Sequence, residues 1–113
     1  MTVLVIHANH RYVIQKRVKK GLLANFWEFP NVDGHLSSAE AVEMMLSWGL
    51  QVKEITPLEP ARHLFTHLEW DMRGFLVEIE ETNSIPFQFV TRTEINNDFP
   101  VPTAFRFYQK LLK

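Results

Sequence analysis

Gly34-His35-Leu36-Ser37-Ser38-Ala39-Glu40-Ala41-Val42-Glu43-Met44-Met45-Leu46-Ser47-Trp48-Gly49 is the stretch on which the fold turns. Ser37-Ser38-Ala39-Glu40 has the Ser-x-x-Glu form of a capping box, in which a hydroxyl and a carboxylate satisfy the first free amides of a helix. The spacing predicts a helix running to about Trp48 and stopped by Gly49. Val42, Met45 and Leu46 share one face at helical spacing, an apolar stripe that needs a sheet to pack on.

Strand signals lie on both sides of this helix. Upstream, residues 3–8 and 12–17 read as two strands joined by a turn at Asn9-His10, and residues 26–29 as a short aromatic strand halted by Pro30. Downstream, residues 51–80 read as β structure. Leu64, Leu68, Trp70 and Met72 occupy even positions, whereas Phe75, Val77 and Ile79 occupy odd ones. A period of two predicts an interruption, so a hairpin or irregular loop is expected between Thr66 and Gly74. That places Phe65, Thr66 and His67 at an exposed rim. Thr82-Asn83-Ser84 reads as a turn and residues 87–90 as a strand. Thr91-x-x-Glu94 is a second capping box, and a closing helix over residues 102–112 carries an Ala104, Phe107, Tyr108 and Leu111 stripe. Strands, helix, strands, helix make an α+β fold, an α/β/α sandwich with a mixed sheet between helices.

Composition narrows the function. The 113 residues suit a single domain, 1–113, with a real core. No apolar run approaches the roughly 20 residues that a bilayer requires, so no membrane role is expected. The chain has no cysteine, which removes disulfides, thiolate zinc sites and cysteine-ligated iron–sulfur clusters from this piece. A cytoplasmic location is the expectation. The formal charge of −1 argues against a domain that grips nucleic acid by electrostatics alone, because counterion release supplies most non-specific affinity. Lys16-Arg17-Val18-Lys19-Lys20 is the one basic cluster in the sequence, readable as a solvated loop or as phosphate contacts through Lys19 and Lys20.

Two further constellations bear on chemistry. Gly34 with Glu40 and Glu43 on a loop entering a helix resembles the start of a Nudix box, whose glutamates hold divalent cations against a diphosphate. Counted back from Gly49, the paired metal-binding positions hold Leu46 and Ser47, and the arginine position holds Val42. An apolar side chain and a hydroxyl do not replace two carboxylates, so no catalytic residue and no metal ligand is assigned. His63 and His67 are four apart, but a strand would separate them by more than about 10 Å, and no third ligand accompanies them. Phe65-Thr66-His67 has a bland reading, a buried ring beside surface polar residues. Its sharper reading is a ring that stacks on a base, worth roughly 1–3 kcal/mol, beside a hydroxyl and an imidazole at the base edge. Phe26-Trp27-Glu28-Phe29-Pro30 taken by itself reads as core packing, with Glu28 facing a nearby base.

Gly21-Leu22-Leu23-Ala24-Asn25-Phe26-Trp27-Glu28-Phe29-Pro30, together with His63 and Phe65-Thr66-His67, resembles the C-terminal domain of MutY-type adenine DNA glycosylases. That family shows a Gly-Leu-Leu-Ala-x-x-Trp-Glu-Phe-Pro segment, a Phe-Ser-His loop and a Phe-Pro tail, the last matched at Phe99-Pro100. The resemblance spans nearly the whole chain. It implies a Nudix-like fold without pyrophosphohydrolase activity that recognises 8-oxoguanine mispaired with adenine in double-stranded DNA during base excision repair. A separate N-terminal helix-hairpin-helix domain with an iron–sulfur cluster is expected to excise the adenine, making this chain the C-terminal part of a longer protein. By position, Phe65 approaches the lesion pair, Thr66 bonds the altered edge of oxoguanine, and His67, with His63, supports the loop or a phosphate. Thr66 stands where serine is commoner and Asn25 where a smaller residue is frequent. Two other functions remain open: an active Nudix-type hydrolase of oxidised nucleoside triphosphates, and a module that docks a replication partner through its exposed aromatics.

Overall fold

A computed structural model describes residues 1–17, 23, 25–82 and 87–113. Its elements in chain order are β1 (Thr2–Ala8), β2 (Arg11–Lys16), β3 (Trp27–Glu28), β4 (Asn31–Val32), α1 (Ser38–Ser47), β5 (Val52–Leu64), β6 (Glu69–Ile79), β7 (Gln88–Thr91), α2 (Arg92–Asn97), a 3-10 turn (Thr103–Phe105) and α3 (Arg106–Gln109). The strands form a mixed sheet in the order β3-β2-β1-β6-β5, with β4 paired to β1 and β7 to β2. The β1–β6 pairing is parallel and the others are antiparallel. The α+β sandwich expected from the pattern is the observed architecture.

Local chemistry explains the boundaries. Asn9 and His10, between β1 and β2, both have positive φ (50° and 62°), as a two-residue primed hairpin turn demands. Ser37 caps α1 and Thr91 caps α2. In each, the hydroxyl accepts from the amide of the glutamate three residues on, and that glutamate accepts from the cap amide. Gly49 leaves α1 at φ +88°, a conformation that costs other residues and not glycine. β5 is an edge strand, which is why it tolerates Pro57 and Pro60. The Thr2 hydroxyl donates to the Gly34 carbonyl at 2.7 Å and accepts from the Leu36 amide at 2.9 Å, fastening the loop before α1 to β1.

Both faces of the sheet are covered. One core joins Val3, Val5, Tyr12, Ile14, Phe29, Trp70 and Met72 to Ile95, Phe105 and Tyr108 of the C-terminal segment. The other joins Leu4, Ile6, Val13, Phe75, Val77 and Ile79 to Ala41 and Met45 of α1 and to Leu50. This corrects three expectations. The shift from even to odd apolar positions is no interruption: β6 runs unbroken from Glu69 to Ile79 and moves its apolar side chains from one core to the other near Gly74. The expected hairpin does occur, at the start of the expected window: β5 turns into β6 through bends at Thr66 and His67. On α1 the buried positions are Ala41 and Met45, with Val42 half-buried and Leu46 outward at 55% exposure, because the helix lies with its Ala41 side against the sheet. In the C-terminal segment Ala104, Phe105, Tyr108 and Leu112 are buried while Phe107 and Leu111 are partly exposed, since the segment begins as a 3-10 turn and shifts the phase. The Thr82-Asn83-Ser84 turn lies largely outside the described residues.

Candidate nucleic-acid interface

The rim is built by β5 and β6. Their pairing ends at Leu64 opposite Glu69, and the Phe65 amide donates to the Leu68 carbonyl at 2.6 Å, closing the loop between them. Thr66 and His67 are exposed, and among the described residues neither side chain has a hydrogen-bond partner. Phe65 is half-buried and wedged edge-to-face between His63 and Trp70, with ring centroids 4.6 and 5.1 Å away. Trp70 continues the stack to Phe105 at 5.6 Å. The loop therefore presents two free polar side chains beside a ring held from behind.

The second sequence segment supports this stack. Glu28 is nearly buried, and its carboxylate accepts from Arg17 at 2.6 Å and from Gln15 at 2.9 Å. The Arg17 guanidinium lies 5.0 Å from the centre of the Trp70 ring, a cation–π contact. Glu28 is therefore linked to Phe65 by a chain of contacts that runs through Arg17 and Trp70. The aromatic segment and the rim loop are parts of one assembly, and the base that Glu28 was expected to face is Arg17. Trp70 was visible in the sequence only as a core position; nothing in its spacing announced that it holds Phe65.

A groove of about 390 Å³ runs beside the rim, with Leu23, Phe26, His63 and Phe65 on one wall and residues 101–104 on the other. Phe26 is half exposed at its edge. Phe65, Thr66, His67 and His63 are thus brought together at one end of the sheet. Lys19 and Lys20 lie outside the described residues.

The opposite face offers a weak set of donors for the divalent cations that the helix motif implies. Glu40 spends a carboxylate oxygen on the Ser37 amide at 2.9 Å, and that bond, with the Ser37 hydroxyl, holds its pKa below the ordinary glutamate value. The Ser47 hydroxyl donates to the Met44 carbonyl at 2.6 Å. Leu46 supplies no donor. Among the described residues no group of three or more His, Cys, Asp and Glu is placed to hold a metal ion. These residues do not fit a magnesium–diphosphate site. No helix among the described residues is long and apolar enough to cross a membrane.

Three solved structures share this architecture. A MutT NUDIX hydrolase from Burkholderia pseudomallei aligns with a TM-score of 0.73 at 17% identity, covering 99% of this chain and 95% of its own. The C-terminal domain of mouse MUTYH, solved in complex with human PCNA, aligns with a TM-score of 0.71 at 21% identity, covering 96% and 86%. The Nudix hydrolase RenU from M. smegmatis aligns with a TM-score of 0.55 at 12% identity, covering 97% and 82%. At these identities the likeness establishes the fold. The sequence itself matches a family model described as NUDIX domain over residues 1–111, so the chain belongs to the NUDIX domain family.

Proposed function

We propose that this chain is the lesion-recognition domain of an adenine DNA glycosylase, reading 8-oxoguanine opposite a misincorporated adenine in duplex DNA. The observation that carries the reading is the loop at residues 65–68, where Thr66 and His67, without a hydrogen-bond partner among the described residues, follow a Phe65 ring braced by His63 and Trp70. Oxidation turns a ring-nitrogen acceptor of guanine into a donor and adds a carbonyl oxygen. A hydroxyl accepts from the new donor, and a hydroxyl or backbone amide donates to the new oxygen. Phe65 supplies the face on which a base edge or neighbouring base rests. Excision of the adenine belongs to a separate catalytic domain of the same protein, which holds the iron–sulfur cluster; this chain has no cysteine to ligate one. The mouse MUTYH domain solved with PCNA makes a protein partner of that kind part of the proposal.

Fluorescence anisotropy with duplexes that differ only in guanine or oxoguanine opposite adenine tests the reading. The parent chain prefers the oxidised duplex, and Thr66→Ala loses about 1 kcal/mol of that preference, roughly fivefold, the worth of one neutral hydrogen bond. An undiminished preference in Thr66→Ala removes the assigned role. The likeness to a MutT NUDIX hydrolase favours a second reading, cleavage of an oxidised nucleoside triphosphate. Magnesium-dependent pyrophosphate release from such a substrate decides for it, against the donor set on α1.

A further inference from the structure

The fold assembles a basic site that the sequence does not display. Arg92 and Asn96 on α2 meet Arg106, Gln109 and Lys110 of the C-terminal segment across a groove of about 290 Å³. Three of these five residues are cations and none is a carboxylate, in a chain whose formal charge is −1. Among the described residues, no ion pair engages Arg92, Arg106 or Lys110. Glu94, on the same short helix, is turned back onto the Thr91 amide at 3.0 Å. The Gln109 amide donates to the Asn96 side-chain oxygen at 2.9 Å, tying together the two elements that carry the charges. Position matters as much as charge. Thr103 and Ala104 line the groove beside Phe65, and Arg106 follows directly on the 3-10 turn, where residues three apart eclipse one another.

We infer that the Arg92–Arg106–Lys110 groove holds the phosphodiester backbone of the duplex whose base is read at residues 65–67, an inference that rests on the DNA-binding reading above. Guanidinium groups suit phosphate oxygens through paired N–H donors, and Lys110 adds a compact positive charge. An open groove lined by three cations fits a chain of phosphates better than one enclosed anion. Backbone contacts orient and carry no sequence information. The division of labour follows: the rim inspects, and this groove grips.

The test is anisotropy of the full chain on the guanine and oxoguanine duplexes across a salt series. Arg92→Gln/Arg106→Gln is expected to weaken binding of both duplexes by the same factor and to leave their ratio unchanged. With two phosphate contacts gone, the loss of affinity between about 50 and 200 mM salt becomes smaller by about tenfold. Thr66→Ala does the reverse, lowering the ratio and leaving the salt slope. A parent without oxoguanine preference whose salt slope still falls in the double variant retires the rim reading and keeps the groove. Should the double variant fold poorly, Lys110→Gln carries the same expectation for one contact. Unchanged affinity and slope in the variants, or no duplex binding by the parent at low salt, overturns the inference. So does stabilisation of the parent by pyrophosphate that the variant loses while duplex binding stays intact.

Discussion

At the scale of single residues, Gly74 is the described glycine that leaves no room for a side chain. A Cβ on Gly74 would lie 2.5 Å from Cε1 of Tyr108, whose ring is fully buried. Gly74→Ala is therefore expected to destabilise by about 1–3 kcal/mol, the cost of overpacking a closed core, measured by urea denaturation. The Tyr108 hydroxyl has no hydrogen-bond partner among the described residues, and burial, reinforced by Asp71, pushes its pKa from 10.0 to about 12. Raised above its unfolded value, the group stabilises the fold fully below the ordinary tyrosine range and loses that contribution as pH rises through about 12. Tyr108→Phe is expected to be at least as stable as the parent near neutrality and to keep its stability further into alkali, both read from melting temperatures across pH. Leaving the hydroxyl unpaired costs about 1–3 kcal/mol, which the phenylalanine avoids.

At the scale of elements, the two short helices depend on their caps. α2 spans only Arg92–Asn97, too short to persist by propensity, and its first turn is held by Thr91 and Glu94 as that of α1 is by Ser37 and Glu40. Backbone and side-chain bonds to the cap residue lower the pKa of both glutamates. Since the folded-state pKa lies below the unfolded one, the stabilisation is complete above the unfolded value and fades as pH falls through the folded one. Glu40→Gln/Glu94→Gln keeps both acceptors and removes the titration. The double variant is expected to show a shallower acid limb below the ordinary glutamate value of 4.5, followed by circular dichroism. Both boxes were legible in the sequence because a cap is a local device, written within four residues. The stripes were less so: Leu46 and Phe107 face outward because helix rotation is set by the surface the helix lands on.

At the scale of the whole molecule, one sheet carries two cores, so the layers should unfold together. Trp48 reports on the α1 side and Trp70 on the other. Phe105→Ala, a fully buried truncation worth about 3–5 kcal/mol, is expected to lower the denaturation midpoint reported by Trp48 and by Trp70 equally, each followed in a variant lacking the other two tryptophans. A shift confined to Trp70 would show the layers to be independent. By itself the sequence determined the element order, the caps, the sandwich class, the rim position of Phe65-Thr66-His67 and the missing carboxylates at Leu46 and Ser47. Each is a matter of local spacing or of residue identity. Only the tertiary structure decided that β6 serves both cores without breaking, that contacts through Arg17 and Trp70 link Glu28 to Phe65, and that Arg92, Arg106 and Lys110 share a groove. Those facts join residues far apart in the chain. Periodicity shows which side of a strand is apolar, and only packing shows what covers it.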